Sequence, residues 1–91
     1  MRFRITRHAG HAAPADAMEL LLRRLGPRRD EVSFALVGAE LRATTDDGEG
    51  YSWSREERVD VARRAIFDML VEVCADAPEL EAEWFAVGRF G

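Results

Sequence analysis

Ninety-one residues, 47% of them hydrophobic and 33% charged, exclude a disordered polymer and leave room for a single domain spanning 1–91. Such a chain buries roughly 60–65% of its unfolded surface, and no apolar run approaches the eighteen or so residues of a membrane span. A formal net charge of −4 argues against nucleic acid as the main partner, since phosphates call for a basic surface. The charge is uneven: residues 1–29 carry seven Arg against Asp16 and Glu19, whereas residues 30–91 carry six Arg against fifteen acids. The expectation is that the two parts neutralise each other on folding.

Arg2-Phe3-Arg4-Ile5-Thr6 alternates with period two and predicts a first strand with Phe3 and Ile5 inward. Met1 leads directly into it, so no signal peptide is expected. The stretch from Arg7 to Ala13 reads as a loop, and Pro14 suits the first turn of a helix running to about Leu25. Met18, Leu21, Leu22 and Leu25 would be its buried stripe, and Gly26-Pro27 its stop. Arg28-Arg29-Asp30 reads as a short charged connection.

Val32–Val37 and Glu40–Thr45 predict two strands joined by Gly38-Ala39, a pair suited to a type II′ turn. That turn sets Val37 opposite Glu40, Leu36 opposite Leu41, Ala35 opposite Arg42 and Phe34 opposite Ala43. The register gathers Phe34, Leu36, Leu41 and Ala43 on one face and Ser33, Glu40 and Arg42 on the other.

After an acidic loop, Asp46 to Gly50, and the aromatics Tyr51 and Trp53, a long amphipathic helix begins at Ser54. Ser54 and Glu57 form the pattern of a capping box. Val59, Ala62, Ile66, Leu70 and Val73 share a face that Phe67, Val71 and Cys74 widen, with Asp60, Arg64, Asp68 and Glu72 on the far side. Ala77-Pro78 ends the helix, and Glu81–Arg89 predicts a last strand.

Strand, helix, strand, strand, helix, strand is the order of a ferredoxin-like α+β domain. It predicts a four-stranded antiparallel sheet ordered 4-1-3-2, with both helices on one face. The other face would show Arg2, Arg4, Thr6, Ser33, Glu40 and Arg42. To these the last strand adds either Trp84 with Ala86 or Phe85 with Val87. Either choice leaves bulky apolar atoms uncovered, which points to a partner surface, with self-association as its commonest form. The competing expectation is that the Arg stems lie over the aromatic ring and the face is wet.

Other groups are weaker candidates. His8 and His11, with Asp16, lack a third strong ligand at a recognisable metal spacing, although their loop leads to a helix N-terminus. Asp46, Asp47 and Glu49 with Gly48 and Gly50 lack the spacing of a calcium loop and are explained by turn chemistry. Tyr51 and Trp53 would staple the acidic loop onto the helix start or gate a pocket. The Arg pairs 23/24, 28/29 and 63/64 would make an anion site only by converging. Cys74, the lone cysteine, permits no internal disulfide and fits a reducing cytoplasm and a buried helix position.

No nucleophile triad, redox cysteine pair, nucleotide loop or zinc pattern occurs, so no cofactor is expected. The sequence therefore predicts a small cytoplasmic interaction module that binds itself as a homodimer, or another protein, through its open sheet face. Arg2, Arg4, Arg42, Trp84 and Phe85 would be the contact residues. The alternative is a cofactor-free dimeric α+β-barrel enzyme acting on a small molecule, aromatic ones included, with His8 or His11 as general base near Trp84.

Overall fold

Alternation in the first strand is realised as read: Phe3 and Ile5 are fully buried while Arg2 and Arg7 stay exposed. The computed structural model describes residues 1–46 and 52–90. Along them run β1 (Arg2–Arg7), α1 (Ala17–Leu25), β2 (Arg28–Arg29), β3 (Val32–Val37), β4 (Glu40–Thr44), α2 (Arg55–Ala75), a 3-10 turn (Ala82–Trp84) and β5 (Phe85–Arg89). The strands form one antiparallel sheet that does not close, ordered β2-β3-β4-β1-β5. The four longer strands stand in the expected order, and the expected count of four is corrected to five.

The extra strand is the segment read as a charged connection. Arg28 pairs with Ser33 and Arg29 with Val32 across a two-residue turn, Asp30-Glu31. Asp30 sits at φ +53, the left-handed region that a short polar side chain tolerates best after glycine. The next hairpin has the register expected of it, from Val37 with Glu40 to Phe34 with Ala43. Of its two turn residues, Gly38 alone has positive φ, at +61, which is the type II′ pattern and not type I′.

Two boundaries differ from the sequence reading by more than one residue. Helix α1 starts at Ala17 and not at Pro14, because residues 14–17 close a separate turn, Ala17 N–H to Pro14 C=O at 3.1 Å. The Arg7 guanidinium also holds the carbonyls of Ala13 and Pro14, keeping that turn outside the helix. The last strand starts at Phe85 and not at Glu81. Glu81 to Trp84 coils instead into the 3-10 turn, with Trp84 N–H donating to Glu81 and Phe85 N–H to Ala82. Glu-Ala-Glu favours helical over extended backbone, so the local preference wins there.

A single cluster joins the sheet's inner face (Phe3, Ile5, Phe34, Leu41, Ala43, Phe85) to Met18, Leu21 and Leu25 of α1 and Ile66, Leu70 and Val73 of α2. Both helices therefore cover one face. Each fully buried Phe, Leu or Ile in it contributes about 1.5–3 kcal/mol. Ser54 caps α2 by accepting from the Glu57 N–H at 3.2 Å. The 21 residues of α2 span about 31 Å, against about 17–20 Å for a strand of five or six residues. The helix thus outruns the sheet, and Val59 and Ala62 are only half-buried. Of the three residues expected to widen its apolar face, Cys74 packs against the core, whereas Phe67 and Val71 lie outside it, 38% and 44% exposed, with no element over them among the described residues. No helix among the described residues is long and apolar enough to cross a membrane.

Candidate functional site

The uncovered face of the sheet is assembled by strand register. Arg4 of β1 stands directly opposite Arg42 of β4, with Ala35 beyond Arg42 and Gly88 beyond Arg4. Two like charges in that position repel unless something lies between them. Glu40 supplies the counter-charge: its Oε1 accepts from Arg42 Nη2 at 3.3 Å, and its Oε2 lies 3.3 Å from Arg4 Nε.

An aromatic ring supplies the rest. Phe90 follows β5 and keeps its ladder with β1, donating its N–H to Arg2 C=O at 3.1 Å. Its ring has the Cζ of Arg42 4.0 Å from its centroid, that of Arg4 at 5.0 Å and that of Arg2 at 5.2 Å. These are cation–π distances, closest for Arg42. Gly88, which also faces outward, leaves the space beside Arg4 open; a Cβ there would lie 3.9 Å from Arg4 Cγ.

The cluster has donors to spare. Arg4 Nε, Arg42 Nε and Glu40 Oε2 are shielded from water and make no hydrogen bond among the described residues. Arg4 Nε and Glu40 Oε2 are close enough for an ion pair but poorly aligned for a hydrogen bond. Three guanidiniums around one carboxylate and one ring can accept a further carboxylate without rearrangement of the backbone.

Of the residues expected on this face, Arg2, Arg4 and Arg42 are brought together, with Glu40 among them. Phe85 is not there: its side chain is 3% exposed and belongs to the core. It stands opposite Arg7, on the helix side of the sheet, so Ala86 and Gly88 are the residues of β5 that face outward. Trp84 belongs to the 3-10 turn, half-buried against the core and set edge-on to Phe85 at 6.4 Å. Phe90 takes the place that sequence reasoning gave to these two. The signal that marks it was present, since period-two alternation from Phe85 inward puts Ala86, Gly88 and then Phe90 outward.

His8 and His11 stack on each other, ring centroids 4.9 Å apart, in an exposed loop tied to the sheet by His8 N–H to Trp84 C=O at 2.8 Å. Among the described residues no group of three or more His, Cys, Asp or Glu side chains is arranged to hold a metal. Asp47, Gly48, Glu49, Gly50 and Tyr51 lie outside the described residues. Trp53 is 43% exposed and lines a cleft of about 180 Å³ with Met1 and Val61.

Each Arg pair has at least one member engaged by a neighbouring group. Arg24 holds Glu79 at 2.7 Å, Arg28 lies 3.7 Å from Glu31, Arg29 donates to the Arg24 carbonyl, and Arg63 holds Asp60 at 3.3 Å. Glu79 is pulled below the usual glutamate range by its own backbone N–H and then by the Arg24 side chain. Burial, followed by the nearby Glu79 charge, pushes the Cys74 thiol up, the opposite of what a reactive cysteine needs. Two further clefts are of note: one of about 330 Å³ between α2 and β5, lined by Asp60, Arg63, Arg64, Phe67 and Val87, and one of about 320 Å³ beside Arg55 and Phe90. Neither histidine lines any of these three clefts.

The chain matches no protein-family model, no curated protein and no solved structure. Its site geometry is therefore the ground for a functional reading.

Proposed function

We propose that the chain is a small cytoplasmic protein-interaction module of ferredoxin-like build, with no catalytic role, that works as a homodimer and presents its open sheet face to an acidic segment of another protein. The observation that supports this most directly is the Phe90 ring among Arg2, Arg4 and Arg42, with Glu40 as their counter-charge. A partner carboxylate would pair with the exposed parts of the Arg2, Arg4 and Arg42 guanidiniums, and an adjacent apolar side chain would rest on the ring. The strand order β3-β4-β1-β5 reversed is that of the ferredoxin-like sheet, with β2 as an added edge hairpin. A lone free cysteine fits a reducing compartment.

The charge of the face also bears on self-association. Two copies set face to face would bring three guanidiniums against the same three, with only Glu40 from each side to offset them. That cost favours a heterologous acidic partner here and directs the homodimer to another surface.

The test is an NMR titration that follows the Arg Hε–Nε signals and the Phe90 ring. The probe is a Glu-rich peptide carrying one Trp, compared with a Lys-rich peptide and a single-stranded oligonucleotide. Saturable shifts of Arg2, Arg4, Arg42 and Phe90 with the acidic peptide, weakened by salt and absent in Arg42→Glu, are expected. A silent face, or a tighter response to the oligonucleotide, overturns the reading.

A further inference from the structure

The two sides of β5 are chemically different, and the parity of its ladder says how. Phe90 N–H donates to Arg2 C=O and His8 N–H to Trp84 C=O, so the even-numbered residues of this strand exchange bonds with β1. The main-chain groups of Phe85, Val87 and Arg89 therefore point away from the sheet. Phe85 N–H is taken up by Ala82 C=O. The Phe85 C=O and both groups of Val87 and Arg89 have no partner strand among the described residues, because β5 is the last strand of the sheet.

Natural edges of this kind carry lysine, proline or a bulge to prevent pairing. Phe85–Arg89 has no lysine, proline or bulge, and its one charge, Arg89, stands at the strand's end; it pairs with β1 in unbroken register and packs beside helix α2. Phe67, 38% exposed, lines a cleft with Val87, and Val71, 44% exposed and one turn further along α2, extends the apolar wall. The wall is charged oppositely at its two ends. Arg64 and Arg89 stand at one end with no ion pair among the described residues, Arg63 being held by Asp60. Glu83, exposed in the 3-10 turn, stands at the other.

We infer that this edge is the homodimer interface: β5 of one copy pairs antiparallel with β5 of a second about a two-fold axis through Val87, continuing the sheet across the dimer. The inference rests on the homodimer part of the proposed function and moves it to a surface distinct from the open face. Antiparallel register about Val87 sets Phe85 opposite the second copy's Arg89. Val87 N–H then donates to the other Val87 C=O, and Arg89 N–H to the other Phe85 C=O. By symmetry each bond occurs twice, and the groups used are those the monomer leaves free. The same axis brings Phe67 and Val71 of both copies together. It also carries the Arg64–Arg89 end of each wall toward the Glu83 end of the other, so the surface is self-complementary as a two-fold contact requires. β5 is one of the sheet's two edges, the other being β2 with residues 35–37 of β3, and it is the edge flanked by the apolar side of α2, the geometry of strand addition.

Sedimentation equilibrium decides it. The wild-type chain is expected at twice its 10.3 kDa mass, at low and at high salt. Val87→Pro deletes one outward N–H while leaving the β1 ladder intact, a change that edge strands tolerate, and should return the monomer mass. Phe67→Glu, at a position exposed in the monomer, should do the same with an unchanged circular dichroism spectrum, which covers the case of Val87→Pro failing to fold. Arg42→Glu, on the open face, should leave the dimer intact while abolishing the acidic-peptide response, so the two proposals fail separately. A monomeric wild type, or a dimer that survives Phe67→Glu, overturns the inference, as does a dimer lost in Arg42→Glu but kept in Phe67→Glu.

Discussion

Removing the Phe90 ring tests whether the Arg cluster is held together in solution as it is in the structure. The ring is half-buried, and since full burial of a Phe side chain is worth about 1.5–3 kcal/mol, Phe90→Ala loses about 1 kcal/mol of it. Arg42 stacked at 4.0 Å adds about 0.5–1 kcal/mol, and the more distant Arg4 and Arg2 add less. The expected cost is about 2 kcal/mol in urea unfolding with an unchanged m-value. For a domain of this size that corresponds to a Tm roughly 10 °C lower. Phe90→Leu keeps the burial and loses the ring quadrupole, so it should cost about half as much. A double-mutant cycle between Phe90→Leu and Arg42→Met isolates the cation–π contribution. All variants are compared at one protein concentration, because a dimer makes Tm depend on it. If Phe90→Ala changes stability by less than about 0.5 kcal/mol, the variation common to surface sites, the ring does not organise the face, and the reasoning that makes it a docking floor fails.

Two further predictions concern the frame that carries the site. Gly38→Ala should cost about 1–2 kcal/mol, because φ is +61 there while nothing lies within 4 Å of the added Cβ; D-alanine at the same position should restore stability, and an equally destabilised D-Ala chain would refute a backbone origin. Glu79 has its folded-state pKa held below the unfolded value by its backbone N–H and by Arg24. Its contribution is therefore complete above the unfolded glutamate pKa of about 4.3 and fades as the pH falls through the lower folded one. The NMR titration midpoint of Glu79 should rise in Arg24→Met, and an unmoved midpoint would mean that the ion pair does not persist in solution.

The parts of this fold that were legible in the sequence are those in which one physical rule acts alone. Gly38-Ala39 fixed a register because a two-residue turn with glycine first admits few backbones, and the pairs from Val37–Glu40 to Phe34–Ala43 follow from it. The Ser54 cap and the Ile66, Leu70, Val73 stripe are equally local. What was not legible arose where two rules compete. Arg28-Arg29 has no strand-forming character of its own and becomes a strand because Asp30 accepts the left-handed turn that folds it onto β3. Pro14 would open a helix, but the Arg7 guanidinium engages the Ala13 and Pro14 carbonyls and holds that turn apart. The open face was read correctly for Arg2, Arg4, Glu40 and Arg42. It was misread for its aromatic, because the facing of Trp84, Phe85 and Phe90 depends on where the 3-10 turn ends and alternation begins, a parity that composition does not encode.

That same parity separates the two proposed surfaces. Odd-numbered residues of β5 send side chains to the helix side and main-chain groups to the free edge; even-numbered ones send side chains to the open face and main-chain groups to β1. A strand added at the edge and a segment lying on the open face therefore compete for no atom. A two-fold axis that pairs β5 with β5 runs perpendicular to the sheet, so it leaves both open faces on one side of a continuous surface. Two Phe90-centred Arg clusters would then flank the central seam, each a short distance from it across β1 and β5. An acidic partner with two binding segments could engage both at once, and its second contact would form at the effective concentration set by the linker between them. On this reasoning Phe67→Glu, which touches neither cluster, should leave the affinity for a single acidic peptide unchanged and weaken only a tandem one. Equal weakening of both would mean that the face and the edge are not independent.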